Sequence, residues 1–135
     1  MSDWIMLIPS MVFTKIKMDF PKDLMNEYNM TDENFSSVDN QNKEAVFPFV
    51  YVHMLPAVET GGDIEGSHIN AGMFTFQIEV TDNQYQYRVR EVMSAIIKIM
   101  KSMRFQVNSM PEFDSGDTHR VVARFRRIIG NGDVL

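Results

Sequence analysis

The chain has 135 residues, a hydrophobic fraction of 44% and a formal net charge of −5, which suits one ordinary globular domain. It contains no cysteine, so neither a disulfide framework nor a thiolate zinc site is expected. The acidic balance argues against general nucleic-acid affinity, which normally needs surplus Lys and Arg. No apolar run approaches the roughly 18 residues of a membrane span, and the first residues lack the basic region of a signal peptide.

The N-terminal segment has helical periodicity, since apolar side chains recur every four residues from position 8 to position 28. Pro9 suits a first helical turn, whereas Pro21 removes a backbone donor and crowds the preceding turn. We therefore expect one helix over residues 9–18 and a shorter helical turn after Pro21. The polar stretch that follows predicts a loop with one short strand at 35–38.

Residues 47–55 predict a strand that is central in the sheet, because both of its faces are apolar. Pro48 and Pro56 bracket this strand, and proline belongs at strand ends. His53 alternates with aromatic residues here, so we expect a packed histidine and not a catalytic one.

Residues 56–72 contain four glycines together with Glu59, Asp63, Glu65 and His68. They read as a long loop between two strands, and a loop of this length in a compact domain is usually functional or disordered. Because the flanking strands follow closely, we expect a functional arm or the tip of a long hairpin.

The hydrophobic pattern changes its period within residues 73–103. Alternate residues are apolar from 73 to 81, which is typical of a half-buried strand. From Tyr85 onward the apolar residues fall on one broad helical face, and Asn83 suits the N-cap with Gln86 in capping-box spacing. A strand that leads into a two-sided helix, followed by another strand, predicts an α+β layer architecture.

The C-terminal part predicts a strand at 105–110, a turn over 111–118 and a last strand over 119–129. In the last strand the pattern places the side chains of Arg120, Arg124 and Arg126 on one face.

This arginine row has three possible interpretations. Arginine pairs bidentately with carboxylates, so the row predicts a contact with a carboxylate-bearing neighbouring subunit. The arginines could instead be solvated and paired across strands with a residue such as Glu79. A nucleic-acid contact is also conceivable, but the chain is acidic overall.

Two sequence clusters combine carboxylates with a histidine: Asp63, Glu65 and His68, and Asp114, Asp117 and His119. Such clusters can bind a divalent cation, but neither has a recognised ligand spacing, and solvated loop charges are the plainer interpretation. The chain also has neither a nucleophile elbow nor a phosphate loop. We therefore expect no metal, no cofactor and no enzymatic activity.

Six segments together carry a resemblance to a known family. They are Phe-Pro-Phe-Val-Tyr-Val-His at 47–53, Gly-Asp-Ile-Glu-Gly at 62–66, Phe-Gln-Ile-Glu-Val-Thr-Asp-Asn at 76–83, Glu-Val-Met at 91–93, Met-Lys-Ser-Met-Arg-Phe at 100–105 and Ala-Arg-Phe-Arg-Arg-Ile-Ile-Gly at 123–130. With its length and element order, the chain resembles the tail-terminator, or tail-to-head joining, proteins of long-tailed bacteriophages and prophages of Gram-positive bacteria.

The resemblance implies a single domain over residues 1–135, with a mixed β-sheet flanked by helices, that assembles into a homo-hexameric ring. Such a ring caps the head-proximal end of the tail tube, stops tube polymerisation and joins the tail to the head-completion, or connector, protein. It also implies assembly in the host cytoplasm, a place in the virion neck, and DNA that passes through the lumen without specific binding.

Three alternatives stay open at this point. The chain could form a different ring of the same assembly, such as a head-completion stopper or a tail tube protein. It could be a small metal-dependent nuclease or hydrolase that uses Asp114, Asp117 and His119. It could also be a plain protein-binding module with one partner.

Overall fold

The computed structural model describes residues 4–37, 46–56, 58–62, 69–115, 118–130 and 132–135. These residues form one α+β domain in which a mixed sheet carries helices on one face. This architecture confirms the predicted α+β domain with a mixed sheet.

Three α-helices are present among the described residues: α1 (Trp4–Asp19), α2 (Lys22–Glu27) and α3 (Gln86–Ser102). The predicted start of the first helix was wrong, because α1 begins at Trp4 and Pro9 lies inside it. The predicted break is confirmed, since α2 follows directly after Pro21. None of the described helices combines the length and the apolar character needed to cross a membrane.

The described strands are β1 (Phe35–Ser36), β2 (Phe49–Met54), β3 (Val58–Gly62), β4 (Ile69–Asp82), β5 (Gln106–Ser115) and β6 (His119–Gly130). Their order in the sheet is β1-β2-β4-β6-β5, and β3 pairs with the first part of β4. The β1–β2 pair is parallel and the other pairs are antiparallel. Strand β2 is therefore an inner strand, but β4 occupies the middle of the order.

The core lies between the sheet and the helices. Phe74, Phe76, Ile78 and Val80 of β4 are buried, as the alternating pattern predicts. Their register partners on β6, including Val121, Ala123 and Phe125, point the same way and are also buried. Helix α1 covers this layer through Ile8, Val12 and Ile16, and α3 covers it through Val89, Val92, Met93 and Ile96.

The prediction of a long loop over residues 56–72 was wrong for most of its length. Residues Val58–Gly62 form β3, which pairs with the start of β4 from Val58↔Met73 to Gly62↔Ile69. This part of the chain instead forms a long hairpin, which was the other expectation. The early residues of β4 extend past the end of β2, so their edge is free to pair with β3. Residues 63–68 lie outside the described part.

The predicted turn over residues 111–118 was also wrong for residues 111–115, because β5 continues to Ser115. Residues 116 and 117 lie outside the described part. Its pairing with β6 shifts register between Val107 and Ser109 and again between Ser109 and Glu112. Pro111 falls in this second irregular stretch of an edge strand, which is where proline is tolerated in a sheet.

Candidate functional site: the open face of the sheet

The two faces of the sheet have different surroundings. Helices α1 and α3 pack on the face that carries the buried alternate residues. No described helix packs on the opposite face, which we call the open face. It is formed by odd-numbered residues of β2 and β4 and by even-numbered residues of β6. No described helix covers the open face, so it is a candidate for binding.

The predicted arginine row lies on the open face, and its three members have different partners. Arg120 forms a salt bridge with Glu79 on the neighbouring strand. The Nε atom of Arg124 donates to the Gln77 side-chain oxygen at 3.0 Å. Arg126 is exposed and has no hydrogen-bond or ion-pair partner among the residues that the structure describes. Cross-strand pairing therefore accounts for Arg120 and Arg124, but it does not account for Arg126.

An apolar row crosses three strands of the open face beside the arginines. Val58 is the register partner of Met73, and Met73 is the register partner of Ile128. Val58 is 53% exposed and Ile128 is 60% exposed, while Met73 is half-buried between them. Exposed apolar side chains that are contiguous across strands are typical of an interaction surface.

A cleft of about 560 Å³ opens where the apolar row meets the end of the arginine row. Its lining consists of Met73, Arg104, Gln106, Arg126, Arg127, Ile128 and Asp133. Arg127 is fixed, because it donates to the carbonyls of Met103 at 2.8 Å and Val134 at 3.2 Å. Asp133 is fixed as well, since its carboxylate accepts the Gly130 N–H at 2.7 Å.

Arg104 enters the cleft from the end of α3 in an unusual backbone conformation. Its φ is 67°, in the left-handed region that favours glycine. The hydrogen bonds Phe105 N–H to Met100 O at 3.0 Å and Arg104 N–H to Lys101 O at 2.9 Å form a Schellman motif, whose left-handed position is most often glycine. The exposed Arg104 side chain has no partner among the described residues.

A second surface lies on the outer side of α1. Met6, Leu7, Met11 and Met18 are exposed there, and Met6 and Met18 are each more than 70% exposed, at 72% and 73%. Leu7, Met11 and Met18 follow helical spacing along one side of α1, away from the buried Ile8, Val12 and Ile16. Methionine is common at adaptable protein interfaces, so this side of α1 is a second candidate contact surface.

A compact polar cluster fixes the start of α3. The fully buried Asp82 accepts the N–H groups of Gln84 at 3.0 Å and Tyr85 at 2.8 Å. The predicted Asn83 cap was wrong, because the N-cap residue of α3 is Tyr85 and no side chain caps it. Asp82 instead holds the turn just before the helix. Arg88 lies over the rings of Tyr28 and Tyr85 at 5.3 Å and 4.9 Å.

Tyr28 donates to the Glu91 carboxylate, which ties the segment after α2 to α3. Burial, and then this hydrogen bond, raise the pKa of Tyr28 well above the usual tyrosine value. The Tyr28 hydroxyl is therefore a neutral structural donor and is not suited to act as a base.

The other predicted residues are placed as follows. Glu59 lies in β3 opposite Gly72, and Asp63, Glu65 and His68 lie outside the described residues. Asp114 is not in a loop as predicted, because it lies in β5 opposite Arg120. No group of His, Asp and Glu that could hold a metal ion occurs among the residues with described placement. Asp117 lies outside the described residues.

The expectation of a packed His53 was wrong, because His53 is exposed on the open face. Its ring stacks on Tyr51 with centroids 5.8 Å apart. The Tyr51 hydroxyl lies 3.4 Å from His53 Nδ1.

Sequence reasoning missed Arg104, Val58, Met73 and Ile128 as surface residues. One signal was available, because Ile128 continues the exposed positions of Arg124 and Arg126 on β6 and breaks their polar pattern. The conformation of Arg104 had no such signal, since its left-handed backbone depends on where α3 ends.

No protein-family model matches the chain, and no curated protein matches it.

Proposed function

We propose that this chain is a structural subunit of a phage tail that assembles as a hexameric ring, caps the head-proximal end of the tail tube and joins it to the connector. The assignment to a tail terminator rests on the six resembling segments. The observation that supports assembly is the presence of two unpartnered apolar surfaces on one domain: the apolar row of the open face and the outer side of α1.

The positions of these two surfaces favour a ring. A closed ring with one kind of contact requires two different patches on each subunit, so that the front of one copy meets the back of the next. The outer side of α1 belongs to the helical layer, whereas the apolar row and the arginines lie on the other side of the sheet. A surface that pairs only with itself would instead favour a dimer.

The charge of the chain is compatible with a DNA channel. A formal net charge of −5 disfavours retention of phosphate on the ring as a whole. Arg120, Arg124 and Arg126 lie together on the open face, so they can be used in contacts between proteins while the rest of the chain keeps an acidic balance.

The first test is the assembly state of the purified full-length chain. Native mass spectrometry across a concentration series, combined with electron microscopy of the same sample, is expected to show a closed six-membered ring. With purified tail tubes, the ring is expected at one tube end only, and tubes capped during assembly should stop growing.

Two outcomes would change the proposal. A chain that stays monomeric both alone and with tail tubes contradicts the ring. Open filaments formed by the chain alone would identify it as a tube protein, because tube subunits stack on themselves without a terminal partner.

A further inference from the structure

The cleft on the open face has an excess of unpaired positive charge. Arg104 and Arg126 both line it, both are exposed, and neither has an ion-pair partner among the described residues. The carboxylate of Asp133 is already used by the Gly130 N–H. Two guanidinium groups beside the apolar side chains of Met73 and Ile128 make a site that suits an acidic segment with an apolar residue.

Arg104 strengthens this interpretation because folding alone favours another residue at its position. Glycine takes the left-handed conformation without a Cβ clash, whereas a side chain adds roughly 1 kcal/mol. The Schellman hydrogen bonds of Arg104 and Phe105 come from the backbone and do not require the guanidinium. The strained position therefore points to a use for the Arg104 side chain outside the fold of the single subunit.

We propose that the cleft binds the sequence Asp63-Ile64-Glu65 of a second copy of this chain. That sequence follows directly after β3 and connects it to β4, and it places one apolar residue between two carboxylates. The two carboxylates match Arg104 and Arg126, and the isoleucine matches Met73 and Ile128. The inference rests on the proposed ring, since it names one contact by which neighbouring subunits join.

The direction of the hairpin favours a neighbouring copy over the same chain. The β3–β4 pairing runs from Val58↔Met73 beside the cleft outward to Gly62↔Ile69. Strand β6 ends at Gly130, opposite Ala71. The Gly62↔Ile69 pair of the hairpin therefore lies beyond the end of β6. The four residue steps from Met73 to Ile69 span roughly 13 Å of strand, which carries the chain away from its own cleft.

A charge-exchange experiment tests the proposal in the full-length chain. One variant combines Arg104→Glu with Arg126→Glu and reverses the cleft. A second variant combines Asp63→Lys with Glu65→Lys and reverses the acidic sequence. Each variant alone is expected to lower the self-association constant about tenfold or more, measured by sedimentation velocity at low salt, because like charges then face each other.

Mixing the two variants distinguishes contact between copies from contact within one chain. If the contact joins neighbours, the acidic sequence of the cleft variant meets the unchanged basic cleft of the second variant. The lysines of the second variant in turn meet the glutamates in the cleft of the first, so both contacts are complementary. Mixed rings should therefore form to about the wild-type extent. Recovery only when all four substitutions are in one chain, with no recovery on mixing, would place the contact within a single copy and overturn the proposal.

A fold control uses Arg104→Gly, which removes the cation and relaxes the backbone. Its free energy of unfolding should equal or exceed that of the wild type, while its self-association should weaken. If Arg104→Gly or the reversed acidic sequence assembles like the wild type, the proposed contact is wrong although the ring survives. A wild-type chain that never assembles contradicts both the ring and this contact.

Discussion

The two faces of β4 and β6 share one backbone but differ in almost every other respect. On the covered face, Phe74, Phe76 and Ile78 are at most 1% exposed. On the open face of the same strand, Thr75, Gln77 and Glu79 are only half-buried. The hydrogen-bond ladder serves both faces equally, so the difference between them arises from what packs on each face.

This comparison separates residues that the fold needs from residues that it tolerates. Burial of apolar surface on the covered face supplies the main driving force for folding. The open face contributes less burial, yet it carries the large apolar side chains of Met73 and Ile128. The guanidinium of Arg126, on the open face, has no partner among the described residues and no role in the core. Such residues are the ones whose substitution should affect assembly more than stability.

The largest difference between the faces is expected on β6. Phe125 is fully buried, so Phe125→Ala should lower the free energy of unfolding by about 3–5 kcal/mol through lost burial and the resulting cavity. Arg124→Ala, one residue earlier on the exposed face, is the matched control and should change it by about 0.5 kcal/mol or less. Urea unfolding measures both values, and equal effects would contradict the distinction between the faces.

The covered face was also the easier one to predict. Alternating apolar residues in β4 and β6 identify their buried sides, because the period of a strand fixes which residues face a common layer. The change to helical spacing similarly identifies α3 and its buried side. These elements depend on local patterns that a single sequence displays.

The parts that were missed depend on pairing between distant residues. Four of the five residues of β3 are polar or glycine: Glu59, Thr60, Gly61 and Gly62. The segment is a strand because it pairs with the free edge of β4. The second half of β5 contains Pro111 and is held by pairing across irregular register with β6. The local strand propensity of these residues predicts neither β3 nor the second half of β5.

The candidate site was predictable only in part. The arginine row on β6 was correctly placed on one face by its alternation. The cleft was not predictable, because it combines the end of α3 with residues of β4, β5 and β6 and the C-terminal segment. Sequence spacing cannot show that Arg104 and Arg126 line the same cleft.

A second, smaller effect concerns Asp82, a carboxylate buried at the end of β4. Asp82 is fully buried and accepts two backbone N–H groups at the start of α3. Asp82→Ala should therefore lower the free energy of unfolding by about 1–2 kcal/mol, because those donors lose their acceptor. Asn83→Ala is the matched control, since Asn83 is exposed and makes no such cap. Thermal and urea unfolding measure both values. A larger loss of unfolding free energy for Asn83→Ala than for Asp82→Ala would show that Asn83, and not Asp82, holds the start of α3.

The smallest effect is expected from the ion pair between Glu79 and Arg120 on the open face. The Arg120 side chain is 44% exposed and that of Glu79 is 16% exposed, so solvent weakens the attraction only partly. A double-mutant cycle with Glu79→Gln and Arg120→Gln should give a coupling free energy of about 0.2–1 kcal/mol in the monomer. The coupling should decrease as sodium chloride is raised, because salt screens partly exposed charges. A coupling above about 2 kcal/mol would mean that this pair stabilises the fold as strongly as buried groups do, and the distinction between the two faces would then fail at Arg120.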